Sequence, residues 1–331
     1  MRVRTPGRVL VTGGAGYIGS HTTLALLADG WDVVVADDLS TGQSRLVPDA
    51  ATLHVGNVGD VAFMAPLLSA TRPDAVIHFA GSISVPESVA DPLKYYRNNF
   101  GVSCQLVQMC VSAGIERFIF SSTAAVYGMP EQLPVSEDAP TQPINPYGHS
   151  KLMTEILLKD VAAATNLRYA ALRYFNVAGA DAAGRSGQVV RNSTNLIKVV
   201  AELAAGRRQD ITVFGDDYPT DDGTCVRDFI HVSDLAEAHV AALSYLMDGG
   251  SSQILNCGYS KGFSVKQVLS TADAITGQKL AYRMGPRRAG DPAAVVAETS
   301  RIRALLPWTP RHADLALMLH SAIAWERGLP G

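Results

Sequence analysis

Tyr147 and Lys151 stand four residues apart in NPYGHSK (145–151). On a helix, that spacing puts a phenol and an ammonium on one face. A phenolate can take the proton of a carbinol hydroxyl while hydride leaves the same carbon, but a free phenol, with a pKa of about 10, is too protonated for the task. The charge of Lys151 favours the phenolate. A third group comes from SSTAAVYG (121–128), where the Thr123 hydroxyl follows an apolar run and could hydrogen-bond the reacting oxygen. Tyr-x-x-x-Lys also arises by chance, so a surface tyrosine with a solvated lysine, and Thr123 as a plain strand end, compete with this reading until the surroundings are weighed.

The surrounding elements favour chemistry. Ser150 to Ala164 reads as a helix, which puts Tyr147 at its entrance and Lys151 one turn on. From Arg8 to about Phe175 the runs RVLVT (8–12), DVVVA (32–36), AVIHFA (75–80), RFIFSS (117–122) and RYAALRYF (168–175) alternate with helical stretches. Such alternation predicts parallel βαβ units in an α/β, Rossmann-type doubly wound sheet. After Asn176 the pattern gives way to a Gly-, Asp- and Arg-rich stretch. Short strands are expected at DITVFG (210–215) and QILNCG (253–258), with helices near 232–247, 264–276 and 313–327. This predicts a smaller C-terminal α/β substrate domain over 177–331 and a core domain over 1–176. About 225–248 is expected to return to the core, with an apolar strand followed by Ser233 as helix cap.

The segment VLVTGGAGYIGSH (9–21) places Gly13, Gly14, Gly16 and Gly19 between the first strand and a helical pattern. Glycines there permit a tight turn and close backbone approach, and the helix N-terminus offers N–H groups to a pyrophosphate. The second strand ends in Asp37 and Asp38, Asp37 standing eighteen residues after Gly19, near the distance at which a carboxylate meets the adenosine ribose. Asp37 would repel a 2′-phosphate, which favours NAD over NADP; Asp38 is the alternative for that role. Residues 1–176 therefore read as an NAD-binding domain.

Composition narrows the classes. Of 331 residues, 47% are hydrophobic and 18% charged, as in a packed globular protein. A net charge of -3 gives no footprint for nucleic acid or an anionic membrane. Cys104, Cys110, Cys225 and Cys257 form no CxxC pair and read as reduced thiols of a cytoplasmic protein. The basic start MRVRTPG runs into a strand without a signal-peptide core, no apolar run reaches transmembrane length, and the histidines show no metal-ligand spacing.

With these motifs, HFAG (78–81), LRYFNVAGA (172–180), FGDDYPTDDGTCVRDFIHVSDLA (214–236) and RRAGD (287–291), the chain resembles the extended short-chain dehydrogenase/reductases, close to their UDP-hexose 4-epimerase branch, almost end to end. The resemblance implies catalytic roles for Tyr147, Lys151 and Thr123. It implies cofactor contacts at Gly13, Gly16, Tyr17, Ile18, Gly19, Asp37, Asn57, Val58, Phe79, Ala80, Gly81, Asn98 and Tyr174, besides Tyr147 and Lys151. For the substrate it implies Ser121, Thr123, Asn176, Asn195, Leu196, Phe214, Arg227, Arg288, Asp291 and Val295, with the two arginines on phosphate, a task suited to their fixed, bidentate donors. The implied activity is reversible C4 epimerisation of UDP-sugars with transient hydride transfer to NAD, in a homodimer.

Four positions depart from that pattern. Asn57 stands where Asp is frequent, Ile83 where a lysine is common, Lys198 where proline is frequent, and Val295 where a bulky tyrosine restricts some members to plain hexoses. Valine leaves room for an N-acetyl group, although a core role for Val295 is an equal alternative. A 4,6-dehydratase would need an Asp-Glu pair after the threonine, and Ala124 and Ala125 fill those places. A UDP-pentose 4-epimerase and a non-enzymatic dinucleotide sensor remain as alternatives.

Overall fold

Strands covered by helices on both sides are apolar on both faces. The runs Arg8–Thr12, Asp32–Asp37, Ala75–His78, Arg117–Ser121 and Arg168–Tyr174 form such strands. The computed structural model describes residues 7–190, 193–288 and 290–329, so the basic start, read as lacking a signal-peptide core, lies largely outside the described residues. Side chains alternate between two cores: Val9, Val11, Val33 and Val35 face one, and Leu10, Val34 and Ala36 face the other.

All seven strands of the main sheet are parallel to their neighbours. In space they run Gln253–Cys257, Arg168–Tyr174, Arg117–Ser121, Ala75–His78, Arg8–Thr12, Asp32–Asp37, Thr52–Val55. The order reverses between Arg8–Thr12 and Ala75–His78, the point at which doubly wound sheets open a crevice beyond the strand ends.

Two readings are corrected and one strand is added. Gln253–Cys257, expected in the C-terminal cap, pairs with Arg168–Tyr174 at the edge of the main sheet. Helix Val232–Met247 is the crossover that carries the chain there, packed on helix Tyr17–Ala28. The edge strand Thr52–Val55 was not foreseen, because it is short, half-exposed and interrupted by His54. The cap of helix Val232–Met247 is His231, whose ring nitrogen Nδ1 accepts from the Ser233 N–H at 3.1 Å; Ser233 itself lies inside the helix.

Beyond the main sheet, Val226–His231 pairs with Asn176–Ala178, Gly262–Ser264 and Ala294–Val295, while Ile211–Phe214 pairs with Tyr282–Gly285. Among the described residues, no helix is long and apolar enough to cross a membrane.

Candidate active site

The helix carrying Tyr147 and Lys151 starts earlier than its periodicity suggests. It spans Pro146–Ala164, because proline fits the first helical position and the Asn145 side chain accepts from the Gly148 N–H at 2.9 Å. Tyr147 therefore sits within the first turn. A Cβ on Gly148 would come within 2.7 Å of the Ala125 carbonyl oxygen, so glycine allows this turn to press against the segment after Thr123.

Tyr147, Lys151 and Thr123 are all buried. Burial raises the Tyr147 phenol, and the Thr123 hydroxyl opposes it. Burial also brings the Lys151 ammonium down to about 8, against the pull of Glu155. Its Nζ donates to the Ser121 carbonyl oxygen at 2.9 Å and lies 4.9 Å from the centre of the Phe120 ring. The Ser121 hydroxyl shares a 2.7 Å hydrogen bond with Tyr174, which places Ser121, Tyr174 and Lys151 together.

Gly81 lies beside this group, since a Cβ built on it would stand 3.9 Å from Lys151 Nζ and 3.0 Å from Asn99 Oδ1. Asn98 donates to the Ser82 hydroxyl at 2.9 Å. Its neighbour Asn99, not singled out from the sequence, accepts from Ser82 N–H at 2.7 Å and donates to the Ser82 carbonyl at 3.0 Å and to Ser150 Oγ at 3.2 Å. The tandem asparagines in YYRNNF were the available signal. Adjacent helical residues point in different directions, and Asn99 is the one that turns inward.

The glycine loop fits a dinucleotide. Gly13 has φ +73°, and a Cβ there would meet Ala80 N at 2.5 Å; one on Gly19 would meet the Gly13 carbonyl oxygen at 2.2 Å. The loop thus lies directly against Phe79 and Ala80. Gly16 caps helix Tyr17–Ala28 without a side-chain hydrogen bond, an arrangement that suits an anion, and Ile18 lies in that first turn. Tyr17 sends its hydroxyl away to the Gly179 carbonyl at 2.5 Å. Asp37 ends its strand beside the loop, accepting from Ala15 N–H and Leu39 N–H, each at 2.9 Å. Asp38 caps a turn through Ser40. Asn57 is exposed and accepts from Gly59 N–H at 2.8 Å, while Val58 is buried.

The residues assigned to the nucleotide sugar gather around Val226–His231. Arg227 and Asp291 are paired with each other, and the Arg288 guanidinium lies 4.0 Å from the centre of the Phe214 ring. Asn176 donates to the Asp228 carbonyl at 3.2 Å, and Asn195 to the Val177 carbonyl at 2.8 Å. Asn195 also caps the helix that begins at Leu196. Val295 pairs in register with Arg227 and packs in a cluster with Val126, Tyr127 and Phe175, close to the turn that follows Thr123. Lys198 is buried and pairs with Glu202 at 3.3 Å and with Glu326.

Known proteins resemble this chain in sequence and fold. A UDP-glucose 4-epimerase of Azospirillum brasilense is 53% identical over 97% of this chain and 92% of its own length. The crystal structure of UDP-glucose 4-epimerase from Brucella ovis in complex with NAD superposes with a TM-score of 0.94 at 42% identity, covering 97% of this chain and 98% of that one. The UDP-Glc/GlcNAc 4-epimerase of Campylobacter jejuni does so with a TM-score of 0.86 at 45% identity, covering 98% and 100%. Residues 9–258, which hold the glycine loop, Thr123, Tyr147, Lys151 and Arg227, match the model of one family, and the chain belongs to it: the NAD-dependent epimerase/dehydratase family.

Proposed function

We propose that this protein interconverts UDP-glucose and UDP-galactose by reversible inversion at C4 with tightly held NAD, and that it also takes the N-acetylated pair UDP-GlcNAc and UDP-GalNAc. The observation that carries the reading is the convergence of Tyr147, Thr123 and Lys151 beside the glycine loop. In the turn Ala124–Tyr127 that follows Thr123, alanines stand where elimination of water would need an acid and a base.

When bound, NAD supplies the hydride acceptor for C4 and gives the hydride back. Tyr147 takes the O4 proton and returns it, acting as base and then as acid on one oxygen. Thr123 holds that oxygen and helps bring the phenol down. Lys151, held by Ser121, supplies positive charge beneath the reacting groups. Arg227, Arg288, Asn176 and Asn195 grip the UDP, so that the 4-keto sugar can turn over its diphosphate link and present the opposite face. Inversion therefore needs a firm nucleotide site and a roomy sugar site.

The sugar range follows from Val295. Its strand lies beside Arg227 and its side chain reaches the cluster next to Thr123, so a short residue there widens the sugar end. The Campylobacter relative, named for both sugar types, supports the wider range. We place the protein in the cytoplasm, where its free cysteines remain reduced. We read it as a homodimer because exposed Val89, Leu93 and Ile156 lie on helices that pack together.

One assay tests the whole reading. UDP-galactose, UDP-GalNAc and UDP-arabinose are incubated separately with purified protein and no added NAD, and the products are identified. Conversion of the first two to their C4 epimers is expected. Conversion of UDP-arabinose alone would make the protein a pentose epimerase, and no conversion at all would sink the proposal.

A further inference from the structure

We infer that Glu155 is a positioning residue of this enzyme: one helical turn below Lys151, it holds the ammonium in its charged form, and Arg173 sets how strongly it does so.

The inference begins from a cost. Lys151 is buried, and a charge removed from water is expensive unless an opposite charge or hydrogen bonds compensate it. The Ser121 carbonyl supplies one hydrogen bond at 2.9 Å. Glu155 lies four residues further along the same helix and so on the same face, and its carboxylate is also buried. That carboxylate accepts from Arg173 Nη2 at 2.6 Å, from Arg173 Nε at 3.0 Å, and from the Ser122 hydroxyl. Ser122 lies between Ser121, which holds Lys151, and Thr123. Three consecutive residues at the end of one strand thus tie together the ammonium, its counter-charge and the oxygen-binding hydroxyl.

The other groups around this pair leave Glu155 as the main opposing charge. From strand Ala75–His78, His78 is kept neutral by burial and by Lys151 itself, its ring brought down to about 3. Strand Arg168–Tyr174 contributes Tyr169, Arg173 and Tyr174, of which only Arg173 is charged, burial raising both phenols. Tyr127, from the turn after Thr123, accepts from Arg173 Nη1 at 3.0 Å and donates to Asn256 Oδ1 at 2.6 Å. On the helix side stand Tyr147 and, edge-on to it, Tyr95, both raised by burial. Lys151, Glu155 and Arg173 therefore form a plus–minus–plus row. Deleting the middle charge leaves Lys151 uncompensated, and deleting the far one strengthens the pull of Glu155.

The inference rests on Lys151 serving as a cation in the proposed epimerase, and the test separates the two. In enzyme labelled with 13C-lysine and carrying its copurified cofactor, the Lys151 Cε resonance, assigned by its loss in Lys151→Met, follows the ammonium; turnover of UDP-galactose against pH follows its use. Glu155→Gln is expected to lower both midpoints by about one pH unit. Glu155→Asp, which keeps a carboxylate for Arg173, lowers them by less. Arg173→Gln raises both. The double variant Glu155→Met/Arg173→Met leaves neither member of the pair as a lone buried charge, and brings both back towards the starting values. A purely structural role predicts that both single variants impair the enzyme alike without opposite shifts. A resonance midpoint that stays put, or moves the same way in Glu155→Gln and Arg173→Gln, overturns the charge coupling. A resonance that shifts while the rate profile does not overturns the role in turnover.

Discussion

The Lys151 ammonium donates to the main-chain oxygen of Ser121, so the helix that bears Tyr147 is pinned to the end of the strand that delivers Thr123. Lys151, expected to favour the phenolate through its charge, thus also fixes the spacing of Tyr147 and Thr123, the two groups proposed to meet the substrate oxygen. Holding that cation inside the protein has a measurable consequence.

Burial, opposed by Glu155, brings Lys151 from 10.5 down to about 8. The folded protein therefore carries the cost of the buried cation in full below pH 8, about 3 kcal/mol. Between pH 8 and 10.5 the unfolded chain binds more protons than the folded one, so stability rises with pH across that window. Lys151→Met removes the cost and one hydrogen bond worth about 1 kcal/mol. With nucleotide stripped from both proteins, the variant is expected to melt above wild type at neutral pH, to lose that advantage as pH approaches 10.5, and to have lost epimerase activity. Thermal melts at several pH values decide it; a variant that melts lower throughout would show that Lys151 mainly stabilises the fold.

Tyr147→Phe deletes the proposed proton acceptor and leaves the buried ring in place. A fall in kcat of about a thousandfold is expected, with the KM for UDP-sugar little changed and NAD still copurifying. Thr123→Val should cost less, about a hundredfold, and should raise the pH at which the phenol titrates, because the Thr123 hydroxyl is what opposes burial there. Steady-state kinetics against pH test both; an unaltered Tyr147→Phe enzyme would refute the assignment of the base.

The legible parts of the molecule were those whose signals are local. Strand alternation from Arg8 to Tyr174, the glycine loop and the Tyr147–Lys151 spacing depend on neighbours in sequence. Gln253–Cys257 was misplaced because nothing local tells a parallel strand which sheet edge it will join; helix Val232–Met247 decides that by packing across helix Tyr17–Ala28. Ser233 read as the cap because serine usually serves there, while an imidazole nitrogen took the role. In the site, residue types could be listed but not aimed. Lys151 turned to Ser121, Tyr17 to Gly179, and Arg227 to Asp291 through tertiary contacts that no spacing reveals.

Gly13→Ala combines two penalties. Its φ of +73° costs an L-residue about 1–2 kcal/mol, and the added Cβ would meet the Ala80 amide nitrogen, which is backbone and cannot rotate away. The loop must move off the strand end that forms one wall of the crevice. The variant is expected to fold, to melt lower by several degrees, and to purify with little NAD, seen as a reduced nucleotide peak after denaturation. Gly30→Ala is the control, since it shares the positive φ but meets nothing within 4 Å, and it should keep its NAD. Equal cofactor loss in both would mean that backbone strain, not crowding at Ala80, governs the site.

Val295 lies between Arg227 and the turn after Thr123, the proposed nucleotide and sugar ends of the site. It pairs with Arg227 across the sheet and packs with Val126 and Tyr127 just beyond Thr123, so added bulk there must either enter the sugar space or push into that cluster. If it enters the sugar space, Val295→Tyr abolishes turnover of UDP-GalNAc while retaining that of UDP-galactose, with little change in melting temperature. If it pushes into the cluster, the variant loses about 1–3 kcal/mol of stability and both sugars suffer alike. Rates for the two substrates, measured beside a thermal melt, separate these outcomes; the proposed sugar range requires the first.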